Sequence, residues 1–240
     1  MAYLEFLLWV YFIFYPLYIY LTHEKEKYDV VNQHISKISV YVKTMLYLWL
    51  PCLILALIVT TERLSLKQLG LTLNFNAANV IGMSILILLV IYLLFSLKRL
   101  KQDQAQQNEL KAHYDFMHWF LPTTVKESRY FIFGLSITAG VCEEVLFRGY
   151  LMHLFNPIMP TYLAVGLSSL LFGFCHIYQG WTYVLRTAII GVVFCVIFLL
   201  TDSLIIPILL HIVFDMYSGI TAYILYSKPQ KLEFTKLKTE

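Results

Sequence analysis

The sequence predicts an all-α, polytopic membrane protein, a helical bundle of about seven transmembrane helices, with six to eight compatible with its 240 residues. Composition and two patterns predict it. The chain is 59% hydrophobic and 14% charged, with a mean hydropathy of +0.68, whereas an ordinary soluble domain carries about 25% charged residues. Apolar runs close to the roughly 20 residues that a bilayer crossing needs recur along the chain. The basic residues collect in alternate connections between these runs. Such a chain leaves no room for a sizeable soluble domain. A net charge of only +3, confined to polar connections, gives no support to nucleic-acid binding.

Leu4 to Leu21 is the first expected span; without a basic leader or a small-residue cleavage site it reads as a retained helix rather than a signal peptide. A polar connection, Thr22 to Ser39, leads to the second span, Tyr41 to Thr60, where Pro51 should introduce a kink. Thr61 to Asn79 is a loop containing Gly70, and Val80 to Leu97 is the third span. Lys98 to His113 is polar and rich in helix formers, suited to a solvated extension of the third helix or to a surface helix. The aromatic stretch Tyr114 to Leu121 suits a membrane interface, and Pro122 ends it. The fourth span begins near Arg129 and ends by Asn156 and Pro157, long enough to tilt or to break into two pieces. Tyr162 to Tyr178, Trp181 to Leu200 and Leu204 to Tyr226 complete the set. Their short connections should make spans four to seven one antiparallel bundle. The expected organisation is a three-span region over 1–127, a helical core over 128–226 and a tail over 227–240.

With seven spans, one side receives the loops after spans one and three and the tail with Lys228, Lys231, Lys236 and Lys238, fourteen of the 18 basic residues. The other side receives Arg63 and Lys67. The positive-inside rule then predicts a multi-pass protein of the cell membrane with its N-terminus outside and its C-terminus in the cytoplasm.

Inside the fourth span lies a charged nonapeptide, Gly140 to Arg148 (GVCEEVLFR). A charge within hydrocarbon costs about 2.5–3.5 kcal/mol on insertion scales, so such residues are functional candidates by default. On a helix, Glu144 and Arg148 share a face at i, i+4 with Glu N-terminal, the favourable order for an ion pair. Glu143 points about 100° away. That leaves it without this neutraliser and available as a general base or acid.

Two later spans carry matching polar pairs: Phe172 and His176 at i, i+4, and His211 and Asp215 at the same spacing. Two chemistries fit the collected residues. In one, Glu143 and His176 share a water while His211 and Asp215 present donors to an oxyanion. In the other, His176, His211 and one or two carboxylates, Glu143 among them, hold a zinc ion that activates water. The patterns HExxH and GxSxG are absent. Cys52, Cys142, Cys175 and Cys195 lie in apolar segments without CxxC spacing and read as buried thiols; a Cys/His nucleophile pair is the weaker reading, since an apolar setting makes a poor nucleophile. His153, just beyond the fourth-span charges, reads as interfacial.

EEVLFR at 143–148, FGFCH at 172–176 and HIVFD at 211–215 resemble the EExxxR, FxxxH and HxxxN/D motifs of the CPBP family, the CAAX proteases and bacteriocin-processing enzymes also called Abi proteins. The resemblance spans roughly 128–226. It implies intramembrane peptide-bond hydrolysis of a peptide or protein substrate at the bilayer, and a link to bacteriocin self-immunity or peptide maturation. By the same resemblance Glu143 and His176 activate water, His211 and Asp215 stabilise the oxyanion, and Glu144, Arg148 and Phe172 support them. Asp215 stands where prenyl endopeptidases tend to carry Asn. An ionised Asp cannot donate to an oxyanion, so it must be protonated, orient His211 or bind metal.

Two readings compete with an enzyme. A non-enzymatic immunity or scaffold protein would use the polar residues to hold helices together, and a proton-coupled transporter would use Glu143 and the histidines as a relay. Transport is disfavoured by the lack of an internal repeat. The scaffold has no use for an ionisable Glu143, because Gln would bind neighbouring helices as well.

Overall fold

The computed structural model describes residues 2–61, 64–72 and 76–227; Arg63, the tail lysines and the tail at 228–240 lie outside the described residues. Among the described residues the only regular structure is helical. The helices are α1 (Ala2–Val31), α2 (Lys37–Thr61), α3 (Ala77–Gln102), α4 (Gln104–Tyr114), α5 (Val125–Phe155), α6 (Thr161–Phe174), α7 (Trp181–Thr201) and α8 (Ile205–Tyr226). Six of them, α1, α2, α3, α5, α7 and α8, are long and apolar enough to cross a membrane.

The fifth expected span is shorter than its apolar run. The run continues to Tyr178, but α6 stops at Phe174 after 14 residues, about 21 Å at 1.5 Å per residue. Cys175 and His176 form a turn, a short 3₁₀ turn follows at Ile177–Gln179, and Gly180 with φ 104° swings the chain into α7. An L side chain rarely adopts that φ. His176 is therefore a turn residue rather than a helical one.

Contacts at the two ends of the bundle show that all seven apolar segments, α6 included, run alternately up and down. At one end Lys37 Nζ donates to the carbonyls of His118 and Leu121, each at 2.6 Å. There Phe116 stacks on Tyr183 at 4.4 Å, and Tyr226 donates to Asp115 at 2.7 Å. At the other end Leu204 N–H donates to Gly70 O at 2.8 Å, Asn79 to Thr201 O at 2.7 Å and Ser203 to Thr72 O at 2.8 Å. Trp9 and Phe155 meet near that end, and Tyr20 and Trp181 near the first.

Capping residues explain where the helices begin. Asn76 caps α3 by accepting from Asn79 N–H, and Thr124 with Glu127 forms a reciprocal capping box that starts α5. The polar segment after α3 is both expected alternatives in turn. α3 runs to Gln102, and Asp103 ends it and caps the separate helix α4. The aromatic stretch that follows packs back onto the bundle, burying Met117, Trp119 and Leu121. α5 is interrupted by two widened, π-type stretches, Phe131–Leu135 and Glu144–Leu151, the second beginning inside the charged nonapeptide and running past its end. Such insertions occur often at functional sites.

Candidate active site

α5 and α8 meet at Gly140. A Cβ there would stand 2.5 Å from Ile212 Cγ1 and 2.9 Å from the Ile212 backbone nitrogen, so only glycine permits this approach. One turn further on, it brings Glu143 and Glu144 to the face of α8 that carries His211.

Glu144 Oε1 accepts two hydrogen bonds, from Arg148 Nη1 at 2.8 Å along its own helix and from His211 Nδ1 at 2.8 Å across to α8. Glu144 and Arg148 are fully buried. The guanidinium lies over the Phe172 ring, 4.1 Å from its centroid, and 5.4 Å from that of Phe194. Aromatic faces attract a desolvated cation by up to about 2 kcal/mol each. The chain Phe172–Arg148–Glu144–His211 thereby fixes the orientation of the imidazole.

Glu144 holding Nδ1 leaves His211 Nε2 for the other two carboxylates. Glu143 Oε2 and Asp215 Oδ2 each lie 3.7 Å from it. The sequence allowed Asp215 to orient His211. The structure gives the Nδ1 hydrogen bond to Glu144 instead and leaves Asp215, about a third exposed, on the Nε2 side. His176 projects from the turn after α6. Its Nδ1 bonds the Phe172 carbonyl at 3.0 Å, and its ring packs against Phe172 and Tyr178. With that Nδ1 proton donated, Nε2 is an acceptor.

Two open cavities reach these groups. The larger encloses about 1100 Å³ of empty space up to its mouth, and Glu143, His176, His211 and Asp215 line it together with Phe120, Phe131 and Leu135. The smaller, about 640 Å³, lies between α1 and α2 and reaches Glu143, His176 and Cys175. His153 lines neither. Cys142 is fully buried and contacts Cys52, which removes it from both cavities.

All seven residues singled out in the sequence stand in or directly behind this cluster. Sequence reasoning missed the Glu144–His211 bond, because it joins helices distant in the chain, and the role of Phe194 beneath Arg148, one apolar aromatic among many. The zinc alternative fares less well. Among the described residues, no three His, Cys, Asp or Glu side chains are grouped so as to hold a metal ion, and the proposed set of His176, His211 and Glu143 is not assembled as one.

Fold and site together define a multi-pass membrane protein with a buried acid–imidazole cluster open to a cavity. A family model described as Type II CAAX prenyl endopeptidase Rce1-like matches residues 126–217, which hold all three motifs and every residue of the cluster. The match covers the stretch whose motifs resemble the CPBP family and is consistent with that resemblance; α1 to α3 lie outside it. No curated protein and no solved structure matches the chain.

Proposed function

We propose that the protein is an intramembrane endopeptidase that hydrolyses a peptide bond of a membrane-associated or secreted peptide or protein. The observation that carries this reading is the single cavity wall on which Glu143, His176, His211 and Asp215 meet. In the proposed reaction Glu143 takes a proton from a water whose second hydrogen is accepted by His176 Nε2, and the water oxygen bonds to the scissile carbonyl carbon. The resulting oxyanion is received by His211 Nε2–H, in a ring carrying protons on both nitrogens, and by Asp215 in its protonated form. Glu143 then returns its proton to the leaving nitrogen as the C–N bond breaks, giving a carboxylic acid and an amine. No metal is required by these steps. Glu144, braced by Arg148, keeps His211 aimed at the oxyanion throughout.

The proposed setting is the cell membrane, with the N-terminus outside and the C-terminus in the cytoplasm. Bacteriocin self-immunity or maturation of a secreted peptide are the proposed roles. The test compares membranes containing wild type or Glu143→Gln at matched abundance, scored by mass spectrometry for peptides cleaved only by wild type. Such peptides are expected; identical peptide profiles would reject the hydrolase reading.

A further inference from the structure

The smaller and larger cavities adjoin rather than merely neighbour one another. Thr44, Phe120, Glu143, His176 and Tyr178 belong to the walls of both, so Glu143 and His176 sit between two openings, while His211 and Asp215 line the larger alone. Beyond this shared wall the two linings come from different elements, each mixing polar and aromatic side chains. The smaller cavity runs between α1 and α2 past His23, Thr22 and the ion pair of Lys43 with Glu26. The larger runs under the aromatic segment and α5, past Phe116, Met117, Phe131 and Leu135.

A blind pocket can accept only the end of a chain, whereas a site with a way out on each side can accept a chain that continues in both directions. Extended peptide advances about 3.3–3.6 Å per residue, so a few residues on either side of a bond held at Glu143 already lie in different cavities. We propose that the substrate is an internal, extended segment threaded through both cavities. On one side of the cleaved bond the segment lies against Lys43 and Glu26, and on the other against Met117 and Phe131. This inference rests on the hydrolase reading and adds the class of segment cleaved.

The experiment uses the purified full chain in detergent. A pool of random 12-residue peptides is digested, and one cleaved peptide is remade with a photoreactive benzoylphenylalanine either three residues before or three residues after the cleaved bond. Each version is irradiated with Glu143→Gln and the adduct is mapped by mass spectrometry. One probe is expected to label residues belonging to the smaller cavity alone, such as Ile19 or Tyr47, and the other to label residues of the larger alone, such as Met117 or Tyr183. Both probes labelling the same cavity, in a protein whose wild type cleaves the peptide, would overturn the threading. A wild type that cleaves nothing in the pool that Glu143→Gln leaves intact would instead overturn the hydrolase reading on which it rests.

Discussion

His211 Nδ1 lies 2.8 Å from Glu144 Oε1, a bond across 67 residues of sequence, and the same oxygen takes the Arg148 hydrogen bond. One carboxylate atom thus links the ion pair legible within the nonapeptide to the imidazole on another helix. The two adjacent glutamates divide accordingly. Glu144 faces inward to hold the structure, and Glu143 faces the cavities.

Removing Glu144 should damage folding before it damages chemistry. Glu144→Ala strands the buried Arg148 guanidinium and frees His211, and breaking one side of a buried pair costs about 3–5 kcal/mol. Purified yield and thermal midpoint should both fall sharply. A midpoint equal to wild type would show that Glu144 bears no such load.

Arg148→Lys keeps the charge but loses the flat guanidinium that covers Phe172 and the geometry that reaches Glu144. A loss of about 1–3 kcal/mol is expected from the combined stacking and charged hydrogen bond. Thermal unfolding in detergent measures it. Full retention of stability would mean that the aromatic faces contribute nothing.

Gly140→Val should separate α5 from α8. Overpacking of this kind typically costs about 1–3 kcal/mol, and here it should also lengthen the Glu144–His211 contact. The expected signature is a greater fractional loss of peptide cleavage than of folded protein; equal losses would place Gly140 in packing alone.

Asp215 separates a donor from a ligand. Acting as a neutral donor to the oxyanion, it should be replaceable by Asn with much of the cleavage rate kept. Asp215→Ala should lose about 10²–10³-fold, the usual cost of deleting an oxyanion donor. Chelator should leave wild type unchanged. Asn and Ala failing alike, together with silencing by chelator and about one zinc per chain, would assign the aspartate to a metal.

A reporter that functions only in the cytoplasm should be active when fused after Glu240 and inactive when placed before Ala2. The basic asymmetry of the loops predicts this, and the up-and-down order of α1 to α8 around the short α6 is compatible with it. The reverse pattern would reject the orientation.

The membrane class, the six long helices and the Glu144–Arg148 pair were legible in the sequence, because each depends on local composition or on spacing within one helix. The end of α6 was not, since nothing apolar changes at Phe174. The chain stops because His176 and Gly180 take turn conformations that hydropathy does not register. The site was legible as a set of residues but not as a circuit. The i, i+4 rule could find a partner for Glu144 on its own helix, but not the second one on α8, so orienting His211 stayed one of three open roles for Asp215 although Glu144 holds Nδ1.

Glu143 is proposed to perform the proton transfer and to carry no structural load. The direct measurement is the initial rate of cleavage by purified Glu143→Gln against a peptide that wild type cleaves, with thermal midpoints taken on the same samples. Matching midpoints are expected, with a rate reduced by at least about 10²-fold, the lower range of general-base contributions. A variant that remains as folded as wild type and cleaves within tenfold of its rate would contradict it.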